Sequence, residues 1–297
     1  MKPAHVAEAA LVRGAFALAG LLPWQRALGL GAALGNGVRL LGVRARVARA
    51  NLELAFPERT AAEREEILRA HYREVGRIAI EYGRLPELAR RPGDEVFASL
   101  RGEEHARALV GRGTVMVSGH FGNLELFASF MARFNPVDLL VKPQNNPLVH
   151  EMIVRLRSRC GVGVIPTAGG VKQVFKAIRA GRWVAMAADQ DARRHGVFVP
   201  FFGRLASTPE GPARISLQTQ APILFGLAHR RPDGRHEGVF EAPREASGPP
   251  TDENVREVVA WYTQRLEAAV RERPEQWFWL HRRWKTAPPE GGGTGDQ

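Results

Sequence analysis

The sequence predicts an α/β protein: a mostly parallel central sheet flanked by helices, with an N-terminal helical membrane-associated extension. Three observations carry this. From Glu95 onward, short apolar, often β-branched runs alternate with segments whose apolar residues recur every three or four positions. That is the texture of repeated strand–helix units. Residues 51–92 have helical periodicity and no strand pattern, and residues 9–41 are apolar but broken by Arg13, Arg26 and Arg39.

The N-terminal stretches between those arginines are 12 residues long, short of the roughly 20 that span a bilayer. With Leu, Ala, Phe16 and Trp24 on one face and Arg on the other, they suit helices lying in a membrane interface. Arg13 inside the apolar stretch argues against a cleaved signal peptide.

Strands are expected at VFASL (96–100), TVMVS (114–118), VDLLV (137–141), VGVI (162–165) and WVAMA (183–187). Helices are expected between them at 103–111, 124–134, 147–160 and 170–180. Asn145-Asn146 before Pro147 supplies a cap and a proline at the first helical position. A loop follows at 189–211, then a helix at 212–220 and a strand at 222–229. The Pro232-Asp233-Gly234 turn predicts a hairpin partner near 237–242, and a long amphipathic helix runs from 253 to 271. The organisation is therefore membrane-associated helices at 1–50, one domain at 51–286 and a disordered tail at 287–297.

The net charge of +11 and a pI near 10.8 favour an anionic partner: nucleic acid, an acidic protein or a phospholipid surface. Nearly all the cations are Arg, the better bidentate ligand for phosphate. A single cysteine, Cys160, excludes a disulfide framework and a Cys-rich zinc site.

The chemistry is expected at TVMVSGHFGNLEL (114–126). A buried strand ends at Ser118-Gly119, His120 stands at its end, Phe121-Gly122-Asn123 turns, and Leu124 opens a helix that carries Glu125. Open α/β sheets place ligands at such strand ends. On one regular helix His120 and Glu125 would lie about 140° apart. They meet only if His120 is in the turn and Glu125 in the first helical turn. His120 is then a general base with Glu125 beside it, and the N–H groups of Gly122 and Asn123 suit a developing oxyanion. Asp189 closes the WVAMA strand, where acidic side chains face the ligand crevice. Arg155, Arg157 and Arg159 lie on different faces of their helix, so one or two can reach the site. The apolar VFVPFFG (197–203) either folds over a greasy ligand or packs into the core, and WFWLHRRWK (277–285) reads as an aromatic-basic belt at a lipid or nucleic-acid surface.

The ordered pieces ANLELAFPE (50–58), SGHFGNLEL (118–126), KPQNNPL (142–148), RLRSRCG (155–161), ADQD (188–191), GVFVPFFG (196–203) and PEQWFWLHRRWK (274–285) resemble the late acyltransferases of lipid A biosynthesis. These sit within the wider lysophospholipid acyltransferase-like group. The resemblance implies transfer of a fatty acyl chain from acyl carrier protein to a hydroxyl of a lipid A precursor, without metal or organic cofactor. It places the catalytic pair on His120 and Glu125, the site arginine within Arg155–Arg159, with Arg157 favoured, and the strand-end aspartate on Asp189, while the turn geometry puts Gly122 and Asn123 at the substrate. It implies the cytosolic face of the inner membrane, peripheral or single-pass, acyl carrier protein and anionic lipid as partners, and no nucleic acid. The alternatives are an acyltransferase on an ornithine lipid, phosphoglycolipid or glycerophospholipid, and a metal-dependent hydrolase using His120, Glu125 and Asp189. A nucleic-acid binder would leave the apolar loop at 197–203 without a purpose.

Overall fold

A computed structural model describes residues 2–289. Helices α1 (Pro3–Leu21), α2 (Trp24–Leu40), α3 (Ala45–Ala55) and α4 (Ala61–Gly83) come first, then the single turns α5 (Leu85–Leu88) and α6 (Gly93–Val96). The alternating region follows as β1 (Phe97–Arg101), α7 (Glu103–Arg107), β2 (Thr114–Ser118), α8 (Leu124–Met131), β3 (Val137–Val141), α9 (Pro147–Arg159), β4 (Val162–Pro166), α10 (Val171–Arg179) and β5 (Trp183–Ala187). The chain closes with β6 (Val197–Phe201), β7 (Arg204–Thr208), α11 (Gly211–Thr219), β8 (Ile223–Arg230), β9 (His236–Phe240) and α12 (Asp252–Glu272).

Seven strands form one sheet in the order β1-β9-β8-β2-β5-β3-β4. Only the β8–β9 hairpin is antiparallel. Both faces are covered, as a parallel sheet requires. Side chains alternate between two cores: Val115, Val117, Val184 and Met186 enter one, and Met116, Trp183 and Ala185 the other. β2, β3 and β5 occupy the expected residues, and β8–β9 is the hairpin predicted from Pro232-Asp233-Gly234. The stretch 189–211, expected as a loop, contains the two-stranded β6–β7 hairpin, whose Val199, Phe201 and Phe202 are buried in the core. This settles the VFVPFFG segment as core.

The N-terminal reading changes. α1 is one continuous helix of 19 residues rather than a short amphipathic piece. Among the described residues it is the one helix long and apolar enough to cross a membrane, with mean hydropathy 1.3. Arg13 does not interrupt it, because Arg is a good helix former and its long stem tolerates an apolar face. α1 is tied to the body by Asn146, whose Nδ2 donates to His5 O at 2.9 Å and Glu8 Oε2 at 2.8 Å, and by Phe16 stacked on Tyr82. Asn146 also caps α9, accepting from Leu148 N at 3.0 Å. The expected boundary at residue 50 falls inside α3, and the expected tail lies outside the described residues from 290 onward.

The C-terminal segment differs most from expectation. Trp277, Trp279 and Arg283 are buried, not displayed as a surface belt. Trp277 and Trp279 pack edge to face, and Arg283 donates to Ser207 O and Thr208 Oγ1 at 2.5 Å each. An unbroken aromatic run buries more apolar area as core than on a surface.

α2 and α4 cross closely through glycines. A Cβ at Gly35 would lie 1.9 Å from Tyr72 O, and one at Gly76 would lie 2.0 Å from Gly31 O. Gly35→Ala is therefore expected to cost about 1–3 kcal/mol in urea unfolding, as overpacking does. Gly29→Ala on the same helix, with open space at its Cβ, should be neutral or stabilising by about 0.4–1 kcal/mol. Equal effects at the two positions would contradict the close crossing.

Candidate active site

β2 and β5 run side by side in parallel, with Ser118 opposite Ala187. Two residues beyond that pair, His120 and Asp189 emerge at the carboxyl edge of the sheet. His120 Nδ1 lies 2.6 Å from Asp189 Oδ1, and the His120 backbone N–H donates to Asp189 Oδ2 at 2.7 Å. Trp277 Nε1 donates to the same Oδ2 at 2.8 Å. A carboxylate only accepts, so Nδ1 carries the proton and Nε2 keeps its lone pair. The Gln190 amide nitrogen stands 3.3 Å from that Nε2.

The turn that carries His120 is pinned by three contacts from residues 276–278. Gly122 N–H donates to Gln276 O at 2.8 Å, Phe278 N–H donates to His120 O at 3.0 Å, and Phe121 pairs with Trp277 in an antiparallel bridge. Gly122 has φ of 54°, and a Cβ there would lie 1.9 Å from Ala228 O, so only glycine fits. Asn123 caps α8 by accepting from Leu126 N at 3.0 Å and donates to Glu81 Oε2 at 2.7 Å. Behind it lies a buried ionic cluster in which Arg230 clasps Glu81 and reaches Glu74 at 2.7 Å, with His236 on Glu81 at 2.9 Å.

These contacts revise three sequence assignments. Glu125 was assigned to orient His120, yet its carboxylate is held in a two-pronged ion pair by Arg157, with Nε at 2.9 Å. The first turn of α8 aims Glu125 across at α9, leaving the imidazole to Asp189. Asp189 was assigned to substrate, yet it is 3% exposed and both oxygens are taken by protein donors. Gly122 and Asn123 were assigned as oxyanion donors. The Gly122 N–H is spent on Gln276, whereas the Asn123 N–H stays open although its side chain serves the cap and Glu81. Among the described residues, the backbone N–H groups of Asn123, Leu124 and Glu125 have no protein acceptor. Of the three arginines, Arg157 is buried toward the site, whereas Arg155 pairs with Glu151 at the surface and Arg159 is exposed.

His120, Glu125 and Arg157 share a cavity of about 570 Å³ with Tyr82, Gln190, Gln276 and Phe278. Leu139, Leu140, Ala185 and Ala187 give it an apolar wall. That size and mixture suit a lipid-like ligand. Tyr82 lies against the Glu125–Arg157 pair, and burial together with the Glu125 charge drives its phenol pKa far up. Among the described residues no three His, Cys, Asp or Glu side chains are grouped to hold a metal ion.

Burial opposes an imidazolium at His120. The charge and hydrogen bond of Asp189, with a smaller contribution from Glu125, outweigh it and raise the His120 pKa above its ordinary value. Burial likewise pushes Asp189 up, but His120 and the donors from His120 N and Trp277 hold it below the usual carboxylate range. Sequence reasoning missed Gln190, Tyr82 and Trp277. It also missed the His120–Asp189 partnership, which depends on β5 lying beside β2 in the sheet.

A family model described as bacterial lipid A biosynthesis acyltransferase matches residues 4–286. The chain is 32% identical over 273 residues to the lipid A biosynthesis palmitoleoyltransferase of Escherichia coli K12, covering 90% of this chain and 87% of that protein. It is 32% identical over 275 residues to the lipid A biosynthesis lauroyltransferase of the same organism, covering 90% and 88%. A phosphatidylinositol mannoside acyltransferase of Mycobacterium tuberculosis H37Rv is 26% identical over 249 residues, covering 80% and 76%.

The His120–Asp189 pair links to pH with two signs. The Asp189 contribution to stability is present above the ordinary carboxylate pKa of about 4 and is lost as pH falls through the lower folded value. The His120 contribution is fully present below the ordinary imidazole pKa of about 6.5 and is lost as pH rises through the higher folded value. Asp189→Asn is expected to lower the His120 pKa in an NMR titration of the imidazole C–H signals. An unchanged His120 pKa would contradict the pairing.

Proposed function

The chain belongs to the bacterial lipid A biosynthesis acyltransferase family, and from that premise we propose that it transfers a fatty acyl chain from acyl carrier protein to a hydroxyl of a lipid A precursor. The observation that carries the mechanism is the imidazole with Nδ1 bound to a buried carboxylate and Nε2 bordering an amphipathic cavity. Nε2 takes the proton of the acceptor hydroxyl as its oxygen bonds to the thioester carbonyl carbon. Asp189 stabilises the imidazolium that forms. The tetrahedral intermediate collapses with cleavage of the C–S bond, and the departing thiolate takes the proton back from Nε2.

The negative oxygen of that intermediate is assigned to the open N–H groups at the start of α8, where the helix dipole adds to them. Arg157, braced by Glu125, supplies a fixed positive charge beside the cavity. Glu125 thus acts through Arg157 and through its own charge on His120. The scheme draws on no metal or organic cofactor, so a chelator is expected to leave turnover unchanged. Chelator-sensitive turnover would favour a metal-dependent hydrolase.

The acceptor has a second reading. Likeness to a phosphatidylinositol mannoside acyltransferase supports another glycolipid bearing a phosphate. Mass spectrometry of the host's lipid A with and without the protein separates the two. A shift of one acyl mass supports lipid A, and an unchanged lipid A overturns that acceptor.

We assign the protein to the cytosolic face of the inner membrane, held by α1 and the α2–α3 corner. Leu40 and Leu41 are 70% and 81% exposed there, beside the exposed Arg44 and Arg46. Apolar tips flanked by arginines favour an anionic bilayer surface. Leu40→Glu with Leu41→Glu is expected to reduce sedimentation with vesicles containing anionic phospholipid; full sedimentation would place the attachment on α1 alone.

His120→Ala is expected to reduce acyl transfer by about 10²–10⁴-fold while the thermal midpoint stays near wild type. Asp189→Asn carries a sharper expectation. Two N–H donors meet Oδ2, so the asparagine oxygen must stay there and its amide must face Nδ1. That turns the imidazole into the Nε2–H tautomer, which cannot accept the proton, and turnover should fall by a comparable factor. Near wild-type turnover in either variant rules out the base assignment.

A further inference from the structure

His71 has no task in this scheme, yet it lines the same cavity as His120 and is 1% exposed. Its Nδ1 lies 3.3 Å from the carbonyl oxygen of Glu275. A carbonyl only accepts, so Nδ1 carries the proton and Nε2 the lone pair. Among the described residues that Nε2 has no hydrogen-bond partner. Burial pushes the His71 pKa down to about 4, so the ring stays a neutral acceptor through the physiological range.

A buried polar atom left unpaired costs about 1–3 kcal/mol, and folded proteins rarely leave one so. An unpaired acceptor on a residue that lines the cavity is open to a donor that the ligand brings. The wall near His71 is mixed, with Val75, Ile78 and Phe278 beside two polar residues. Glu74 lies one helical turn along α4, and Gln276 follows the Glu275 carbonyl that His71 touches. The apolar wall of Leu139, Leu140 and Ala185, on β3 and β5, suits the acyl chain instead.

We propose that His71 Nε2 accepts a hydrogen bond from a hydroxyl or amide N–H of the bound lipid acceptor, which makes His71 a substrate-binding residue. The inference rests on the acyl-transfer reading above.

Three replacements separate binding from scaffolding. His71→Asn keeps a side-chain N–H at the place of Nδ1 for the Glu275 carbonyl but offers no acceptor at the place of Nε2. His71→Gln puts an amide oxygen near the place of Nε2 and gives up the Glu275 bond. His71→Phe removes both polar atoms at similar volume. Initial rates are measured with acyl-loaded carrier protein and a phosphorylated glucosamine lipid, alongside thermal unfolding of each variant.

The Asn and Phe variants are expected to raise the acceptor KM about tenfold, the worth of one hydrogen bond. The donor KM should not move, and Gln should restore most of the loss. An unchanged acceptor KM in Asn and Phe overturns the inference, as does a rise confined to the donor KM. So does an active Asn variant beside an inactive Gln variant, because activity would then follow the Glu275 bond. If the Phe variant fails to fold, the Asn and Gln pair decides. A wild type inactive on every lipid acceptor overturns the acyl-transfer reading and this inference with it, whereas an active wild type with unaltered variants overturns the inference alone.

Discussion

The contact between His120 and Asp189 organises the surrounding structure. Burying a carboxylate costs several kcal/mol unless it is paired and hydrogen-bonded, and Asp189 is buried. Three donors offset that cost: the His120 ring, the His120 backbone N–H and the Trp277 indole. The third explains the path of the chain's end. Residues 274–284 thread back through the core so that Trp277 reaches Asp189 and the backbone of 276–278 clamps the His120 turn. The buried Asn51 fastens the segment, donating to Trp279 O at 2.8 Å and His281 O at 2.6 Å.

Two further ion pairs stand on either side of the same turn. Arg157 holds Glu125 at the cavity, and Arg230 holds Glu81 beneath the Asn123 cap. Removing one partner of a buried pair leaves a charge uncompensated at about 3–5 kcal/mol. Each pair therefore fixes geometry more than it adds net stability. α4 joins the layers, since it carries His71, Glu74, Glu81 and Tyr82 and also packs against α1 and α2. The N-terminal helices and the site cavity thus share α4 as a common support.

Much of the fold was legible because its strands are buried on both faces and read as continuous apolar runs bounded by glycine and proline. TVMVS and WVAMA were placed to the residue for that reason. His120 stood out because a polar ring at the end of such a run has few other uses. Its partner did not, because Glu125 is five residues away in sequence whereas Asp189 is sixty-nine. Only the strand order, with β5 beside β2, brings Asp189 near. Trp277 lay hidden for a related reason: three tryptophans among arginines carry the same composition in a core as at a lipid interface. The β6–β7 hairpin was masked by Pro200 and Gly203, which read as loop signals although an isolated two-stranded ribbon tolerates both.

The most direct measurement is the tautomeric state of His120, read from the ¹⁵N chemical shifts of its two ring nitrogens in the wild-type protein above the imidazole's raised pKa. The account predicts a protonated, pyrrole-type Nδ1 and a bare, pyridine-type Nε2 facing the cavity. A protonated Nε2 with a bare Nδ1 would contradict it, because the cavity would then face a donor where the reaction needs a base.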